Sequence, residues 1–190
     1  GQAIRNANDG VSAINISDQA MAEIGNSLAR LGELAEQSST GTMSAIQRGA
    51  VQSEFAQLVS EIDRIAATTT FNGAQLLSSG SNINFQVGLT NSANARITLT
   101  KITATSSELG LSGTQVNTQA NALTALGKVS TAIATVAANR GQLGATQSRL
   151  QISIANLRTL RENYSAAESR IRDVDVAEET TRLASATILQ

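Results

Sequence analysis

Every seventh residue from Ala122 to Ile171 is apolar or aromatic: Ala122, Val129, Val136, Leu143, Leu150, Leu157, Tyr164 and Ile171. Alternate steps of four and three add a second series, Leu126, Ile133, Arg140, Gln147, Ile154, Arg161 and Glu168, which turns polar at Arg140, Gln147, Arg161 and Glu168. A seven-residue repeat held this long lines one seam of a slightly underwound helix, and underwinding means supercoiling against partner helices. At 1.5 Å per residue such a helix is a rod roughly 75 Å long. No compact globule needs one. The polar positions of the second series are therefore places where the bundle opens to water or where another chain docks.

What the chain lacks narrows its chemistry. Its 190 residues include no proline, cysteine, histidine or tryptophan. Without thiol or imidazole there is no soft metal site, no disulfide and no histidine base, so an enzyme is not expected, nor is a cofactor. The absence of proline suits long unbroken helices, which an internal proline would interrupt at a cost of about 3 kcal/mol. With a net charge of −1 there is no global attraction to nucleic acid or anionic membrane. No apolar run approaches the length of a membrane span, and the N-terminus has no secretory signal pattern, so the chain as written is expected to be soluble. If it is exported, something other than a cleaved signal in this stretch must direct it.

Taken in order, Ile14, Ser17, Met21, Ile24, Leu28, Leu31 and Ala35, widened by Leu34, predict a first helix over 1–40. It is expected to end in Ser38, Ser39, Thr40 and Gly41, with the glycine as C-terminal cap. Ser44 followed by Gln47 reads as a capping box opening a second helix over 44–68, with a seam of Val51, Phe55, Leu58, Ile62 and Ile65. The short connection makes the two helices antiparallel. Over 71–105 the period falls to two. Asn72-Gly73 is a strong turn signal, and Asn82 to Val87 and Arg96 to Thr100 alternate as the strands of a β-hairpin. Ile83, Phe85, Val87, Ile97 and Leu99 then face the helices. Residues 106–119 read as a loop, 120–172 as the long helix, and 175–190 as a re-phased final helix started by Asp173 or Asp175, with Val176, Leu183 and Ile188 or Leu189 on its new face. Capping also accounts for Asp173 and Asp175 better than a metal does, since two carboxylates are too few for calcium. The fold class is thus mainly α: an elongated antiparallel bundle with long coiled-coil-like helices and a small β-hairpin, in a single domain over 1–190.

Several motifs in this order, Arg5-Asn6-Ala7-Asn8-Asp9-Gly10, Glu33-Leu34-Ala35, Glu61-Ile62-Asp63-Arg64, Phe71-Asn72-Gly73, Gln86-Val87-Gly88 and Ser169-Arg170-Ile171, resemble the core of bacterial flagellin across essentially the whole chain. The resemblance implies a core rod domain of a filament subunit: secreted, extracellular, a structural protein of motility, with other subunits as its partners. Flagellins carry further helices at both ends that drive polymerisation, and these are absent from the 190 residues, so the chain alone is expected to stay monomeric. The resemblance also implies an interface used both in the filament and by the vertebrate Toll-like receptor that senses flagellin. Carried over motif by motif, it falls on Arg30, Leu34, Glu54 and Arg149. Here Ala29, Gly32 and Glu36 stand where receptor-binding members tend to have a polar amide, an arginine and an apolar residue.

Without the resemblance, Arg30 and Glu54 are ordinary solvated charges, and surface pairs contribute little. Lys128, Arg140, Arg149, Arg158 and Arg161 make the long helix basic, for which complementarity to the acids of the first two helices is a simpler account than nucleic acid. The alternative function is a helical signalling bundle of chemoreceptor type, which shares alanine-rich, proline-free heptads. The β-hairpin tells the two apart, because such a bundle needs no strands between its helices.

Overall fold

The computed structural model describes residues 1–78, 81–88 and 90–188, with the backbone alone at 173–177. Three helices dominate: α1 (Gln2–Ser39), α2 (Ala45–Thr68) and α3 (Gln119–Ile188). Two small antiparallel hairpins lie between α2 and α3. The first pairs β1 (Thr70–Phe71) with β2 (Ala74–Gln75), and the second pairs β3 (Ile83–Gln86) with β4 (Arg96–Leu99).

α1 and α3 run antiparallel along a shared seam. Each of the eight α1 residues expected on it, from Ile14 to Ala35, is buried. On α3 the heptad series is buried from Ala122 through Leu150, and Leu157 is half-buried. The second stripe differs in part from expectation. Ile154 is buried as read, but Ala125, Ala132 and Thr146 are buried one residue before Leu126, Ile133 and Gln147. The physical reason is size: small side chains let the α1 backbone approach, whereas Ile133 is pushed to the exposed flank. Beyond Leu157 the repeat continues without cover, and Tyr164 and Ile171 are each 71% exposed.

Two expected helix boundaries are corrected. Backbone helix continues through 173–177, so no new helix begins at Asp175; the side chains of Asp173, Asp175 and Val176, and Leu189 entirely, lie outside the described residues. After Gly144 the sequence holds no glycine or proline, and an aspartate inside a helix costs only some tenths of a kcal/mol, far less than nucleating a new one. At the end of α1, Gly41 is not the cap. The C-cap is Thr40 in extended conformation, and its carbonyl and that of Ser38 accept hydrogen bonds from Arg48 of α2.

The capping box forms as read. Ser44 Oγ accepts from the Gln47 N–H at 3.3 Å, and Gln47 Oε1 accepts from the Ser44 N–H at 2.9 Å. Ser44→Ala is expected to lower stability by about 1 kcal/mol, measured by urea unfolding; no change would mean that water caps α2 equally well. Asn72 and Gly73 both take positive φ, 49° and 79°, as a two-residue hairpin turn requires. Gly10 lies within α1, and a β-carbon there would stand 3.0 Å from Leu150 Cδ1 and 3.1 Å from the Phe85 ring, so the packing favours glycine at this position.

The second hairpin pairs Ile83 with Leu99 and Phe85 with Ile97, and lays these side chains with Val87 against the helices. The segment expected as a loop has neither helix nor strand before Gln119, but its side chains enter the core. Leu109, Leu111 and Val116 are buried, and Asp63 of α2 accepts from both the N–H and the hydroxyl of Ser106 at 2.7 Å. Gln52 Oε1 accepts from the Val116 N–H at 2.6 Å, and the Ser38 hydroxyl donates to the Val116 carbonyl.

Candidate interaction surface

The α1–α2 face is built on the antiparallel hairpin of these helices. Arg30 projects from the middle of α1 and meets two carboxylates. Its Nε and Nη2 donate to Glu54 Oε1 across the helix pair at 2.9 and 2.8 Å, and its Nη1 donates to Glu33 Oε2, three residues on, at 2.8 Å. The cluster is open to water, with side chains of Arg30 and Glu54 48% and 47% exposed. The Glu33 hydrogen bond first, and then that of Glu54, holds the guanidinium above its ordinary pKa. The sequence alone paired Arg30 with Glu54 only through the resemblance, since nothing local joins residues so far apart.

Leu34 does not share that surface. It is 1% exposed and belongs to the core beneath, because the antiparallel packing turns it inward. Arg149 is exposed, but on α3 beside the Gly10–Leu150 contact. That contact is twenty residues of α1 from Arg30, roughly 30 Å along the rod at 1.5 Å per residue. Of the four expected interface residues the structure therefore brings Arg30 and Glu54 together, places Leu34 under them and leaves Arg149 apart. Gly32 faces α3, where a β-carbon would meet Val129 Cγ1 at 3.7 Å.

The expected charge match between α3 and the first two helices is largely absent. Among the described residues one ion pair joins them, Arg140 Nε to Asp18 Oδ1 at 2.8 Å, with Gln147 donating to Asn15 at 2.9 Å beside it. Asp18 raises the Arg140 pKa chiefly through its hydrogen bond. Glu61 pairs instead within α2 with Arg64, which lowers its carboxylate pKa, and Asp63 is spent on Ser106. So Arg140 and Gln147 are polar edges of the α1–α3 seam. Two side chains that sequence reasoning missed are Arg48 and Asp63; an arginine four residues after Ser44, just beyond a helix end, was the available signal for the first.

Residues 1–82 match the family model for the bacterial flagellin N-terminal helical region, and residues 126–190 match that for the flagellin C-terminal helical region. The chain is 38% identical over 189 residues to a flagellin of Halalkalibacterium halodurans, covering 99% of this chain and 70% of that one. It is 35% identical to the flagellar filament 30.7 kDa core protein of Treponema maltophilum, covering 94% and 67% respectively. Its fold is similar to the crystal structure of Bacillus cereus flagellin, with a TM-score of 0.72 and 31% identity over 80% of this chain and 88% of that one. A helix pair, a hairpin module and one long returning helix, carrying these matches at both ends, make the chain a member of the bacterial flagellin family.

Proposed function

We propose that the protein is a structural subunit of an extracellular bacterial flagellar filament, polymerising through lateral and axial contacts of its helical rod to serve motility. The observation that carries this reading is a likeness over 99% of the chain to a protein of Halalkalibacterium halodurans that is named a flagellin. The rod supports it physically. Heterologous contacts between copies that do not close propagate into a helical array, so side contacts that are individually weak become stiff when repeated. Alone, at neutral pH and physiological salt, the chain is expected to sediment as a monomer, since exposed charge pairs contribute little one at a time.

The test is a chimera in which this chain replaces the aligned segment of the Halalkalibacterium halodurans flagellin, expressed in a strain lacking its own. Filaments by electron microscopy and swimming support the reading. A folded, secreted chimera that forms no filament overturns it.

The exposed Arg30–Glu33–Glu54 cluster supports a second reading, recognition by the flagellin-sensing Toll-like receptor. An arginine held between two carboxylates on a helix face is a preformed polar anchor, and arginine is favoured at binding hot spots. Arg30→Ala and Glu54→Ala should each weaken binding to the receptor ectodomain about tenfold or more in surface plasmon resonance, while Arg149→Ala has less effect. No binding by the folded parent chain removes this reading and leaves the filament role standing.

A further inference from the structure

Among the described residues Asn72 is the one non-glycine residue with positive φ, 49°, and Gly73 follows it at 79°. Their turn is closed by two residue pairs, Thr70 with Gln75 and Phe71 with Ala74. A hairpin so short is marginal by itself. Asn72, Gly73, Ala74 and Gln75 are all exposed, and a β-carbon at Gly73 would meet nothing within 4 Å, so no neighbouring element covers the turn. The Asn72 carboxamide makes no hydrogen bond among the described residues. The asparagines of the second hairpin differ. The carboxamide oxygens of Asn82, Asn84 and Asn91 accept from the Lys101 N–H, the Thr98 hydroxyl and the Arg96 guanidinium, and none of the three precedes a glycine. The other pair of this kind in the sequence is Asp9-Gly10. It lies within α1, where Gly10 is buried against Leu150 and Phe85.

We propose that Asn72-Gly73 is a site of spontaneous deamidation, with water as co-reactant, which slowly converts a neutral turn of the folded chain into an anionic one. The Gly73 amide nitrogen loses its proton to base and attacks Cγ of Asn72. A bond from nitrogen to Cγ forms, the Cγ–Nδ2 bond breaks, and ammonia leaves with the proton. Water then opens the resulting five-membered imide. Breaking the bond to Cγ gives aspartate, and breaking the bond to the main-chain carbonyl carbon gives isoaspartate, so the sum is asparagine plus water to acid plus ammonia. Nothing is oxidised or reduced. Because nucleophile and target are neighbours in one chain, the step is unimolecular. It requires rotation of the Asn72 backbone out of its turn conformation, which opening two residue pairs permits, and Gly73 has no side chain to hinder the approach. At Asp9-Gly10 the surrounding helix and the cover of Leu150 and Phe85 prevent the same rotation. The two products differ in consequence. Each adds one negative charge to a chain of net charge −1. Aspartate tolerates the left-handed conformation and keeps the turn. Isoaspartate routes the main chain through Cβ, and a lengthened link no longer fits a two-residue turn. Phe71, packed on the core, and the buried Leu76 and Leu77 flank that link, so their register is lost with it.

The test is incubation of the intact purified chain at neutral and mildly alkaline pH, with anion exchange to follow the acidic form and peptide mass spectrometry to place it. Trypsin releases 65–96, which carries Asn72 together with Asn82, Asn84, Asn91 and Asn94 as references in one peptide. A zero-time digest sets the background. The acidic form should accumulate faster as pH rises, and Asn72 should be modified before the other four. Isoaspartate should appear at Asn72 and not at Asp9 in the folded chain, and at both in the chain unfolded in urea. Asn72→Gln, whose attack would require a six-membered ring, should stop formation of the acidic form. Hydrogen exchange separates the products. The Leu76 N–H, which donates to the Thr69 carbonyl at 3.0 Å, should lose protection in the isoaspartate fraction and keep it in fresh Asn72→Asp. Three results overturn the proposal: a folded chain that stays unmodified while the urea-unfolded chain converts, modification of a reference asparagine as fast as Asn72, or isoaspartate at Asp9 as fast as at Asn72 in the folded chain. Mapping the parent chain needs no variant, so a misfolded Asn72→Gln leaves the test decisive.

Discussion

Leu150→Ala is expected to destabilise the chain by about 3 to 5 kcal/mol, the range for a leucine whose removal leaves a cavity that its neighbours cannot fill. Leu150 is fully buried where three elements meet. Its Cδ1 lies against the α1 backbone at Gly10, and the Phe85 ring of β3 closes the same space from the other side. Collapse is obstructed on each side. α1 is already as close as a glycine allows, and Phe85 is fixed by pairing with Ile97. Leu160→Ala, ten residues on and 49% exposed, serves as the control and should change stability by about 0.5 kcal/mol or less. Urea unfolding followed by far-ultraviolet circular dichroism measures both, since the chain has no tryptophan and its one tyrosine, Tyr164, is exposed. Equal losses for the two variants would mean that the seam near Leu150 is looser than its burial implies.

The contrast between these leucines marks where the sequence was legible. The repeat containing Leu150 read correctly that 120–172 is one helix with a buried seam, although α3 runs on to Ile188 where a new helix was expected. Periodicity, however, reports which residues could be covered and is silent on where the covering helix ends. α1 spans Gln2–Ser39, and in the antiparallel register its N-terminal turns lie beside Leu157. Tyr164 and Ile171 repeat the pattern with nothing described against them.

The displaced second stripe has a related cause. Alternating steps of four and three favour large side chains at Leu126 and Ile133, whereas close helix packing selects small ones, and Ala125 and Ala132 read from sequence as filler. Capping was legible where it was local, as at Ser44 and Gln47, and illegible where it was tertiary. Asp63 looked like one more surface acid until Ser106, 43 residues away, was brought to it. Leu109, Leu111 and Val116 were hidden among glycine, serine and threonine, without a period to betray them. The interaction surface followed the same division: Arg30 and Glu33 are helix neighbours, while Glu54 joins them only because a short connection folds α2 back along α1.

Arg48 is the plainest tertiary cap, and Arg48→Met should cost about 2 to 4 kcal/mol. Arg48 is 8% exposed and has no carboxylate partner among the described residues. What compensates the buried cation is the C-terminal end of α1, where backbone carbonyls carry partial negative charge. Nη1 donates to the Ser38 carbonyl at 2.6 Å, and Nη2 to that of Thr40 at 3.0 Å. Hydrogen bonds from a charged donor contribute about 1.5 to 3 kcal/mol each, and methionine would leave Ser38 without its charged donor and Thr40 with only the Met43 N–H at 3.4 Å. Relief from burying a cation offsets part of that loss, which keeps the expected cost below the sum of the two bonds. Arg48→Lys should recover only part of it, because an ammonium cannot reproduce the planar fork that reaches two carbonyls at once. Hydrogen exchange localises the effect. Amides of the last turn of α1 and the first turn of α2 should lose protection in the Met variant, while those around Leu150 fall only with global stability. A Met variant as stable as the parent would show that water satisfies the end of α1 as well as the arginine does, and that the short connection alone holds α2 against α1.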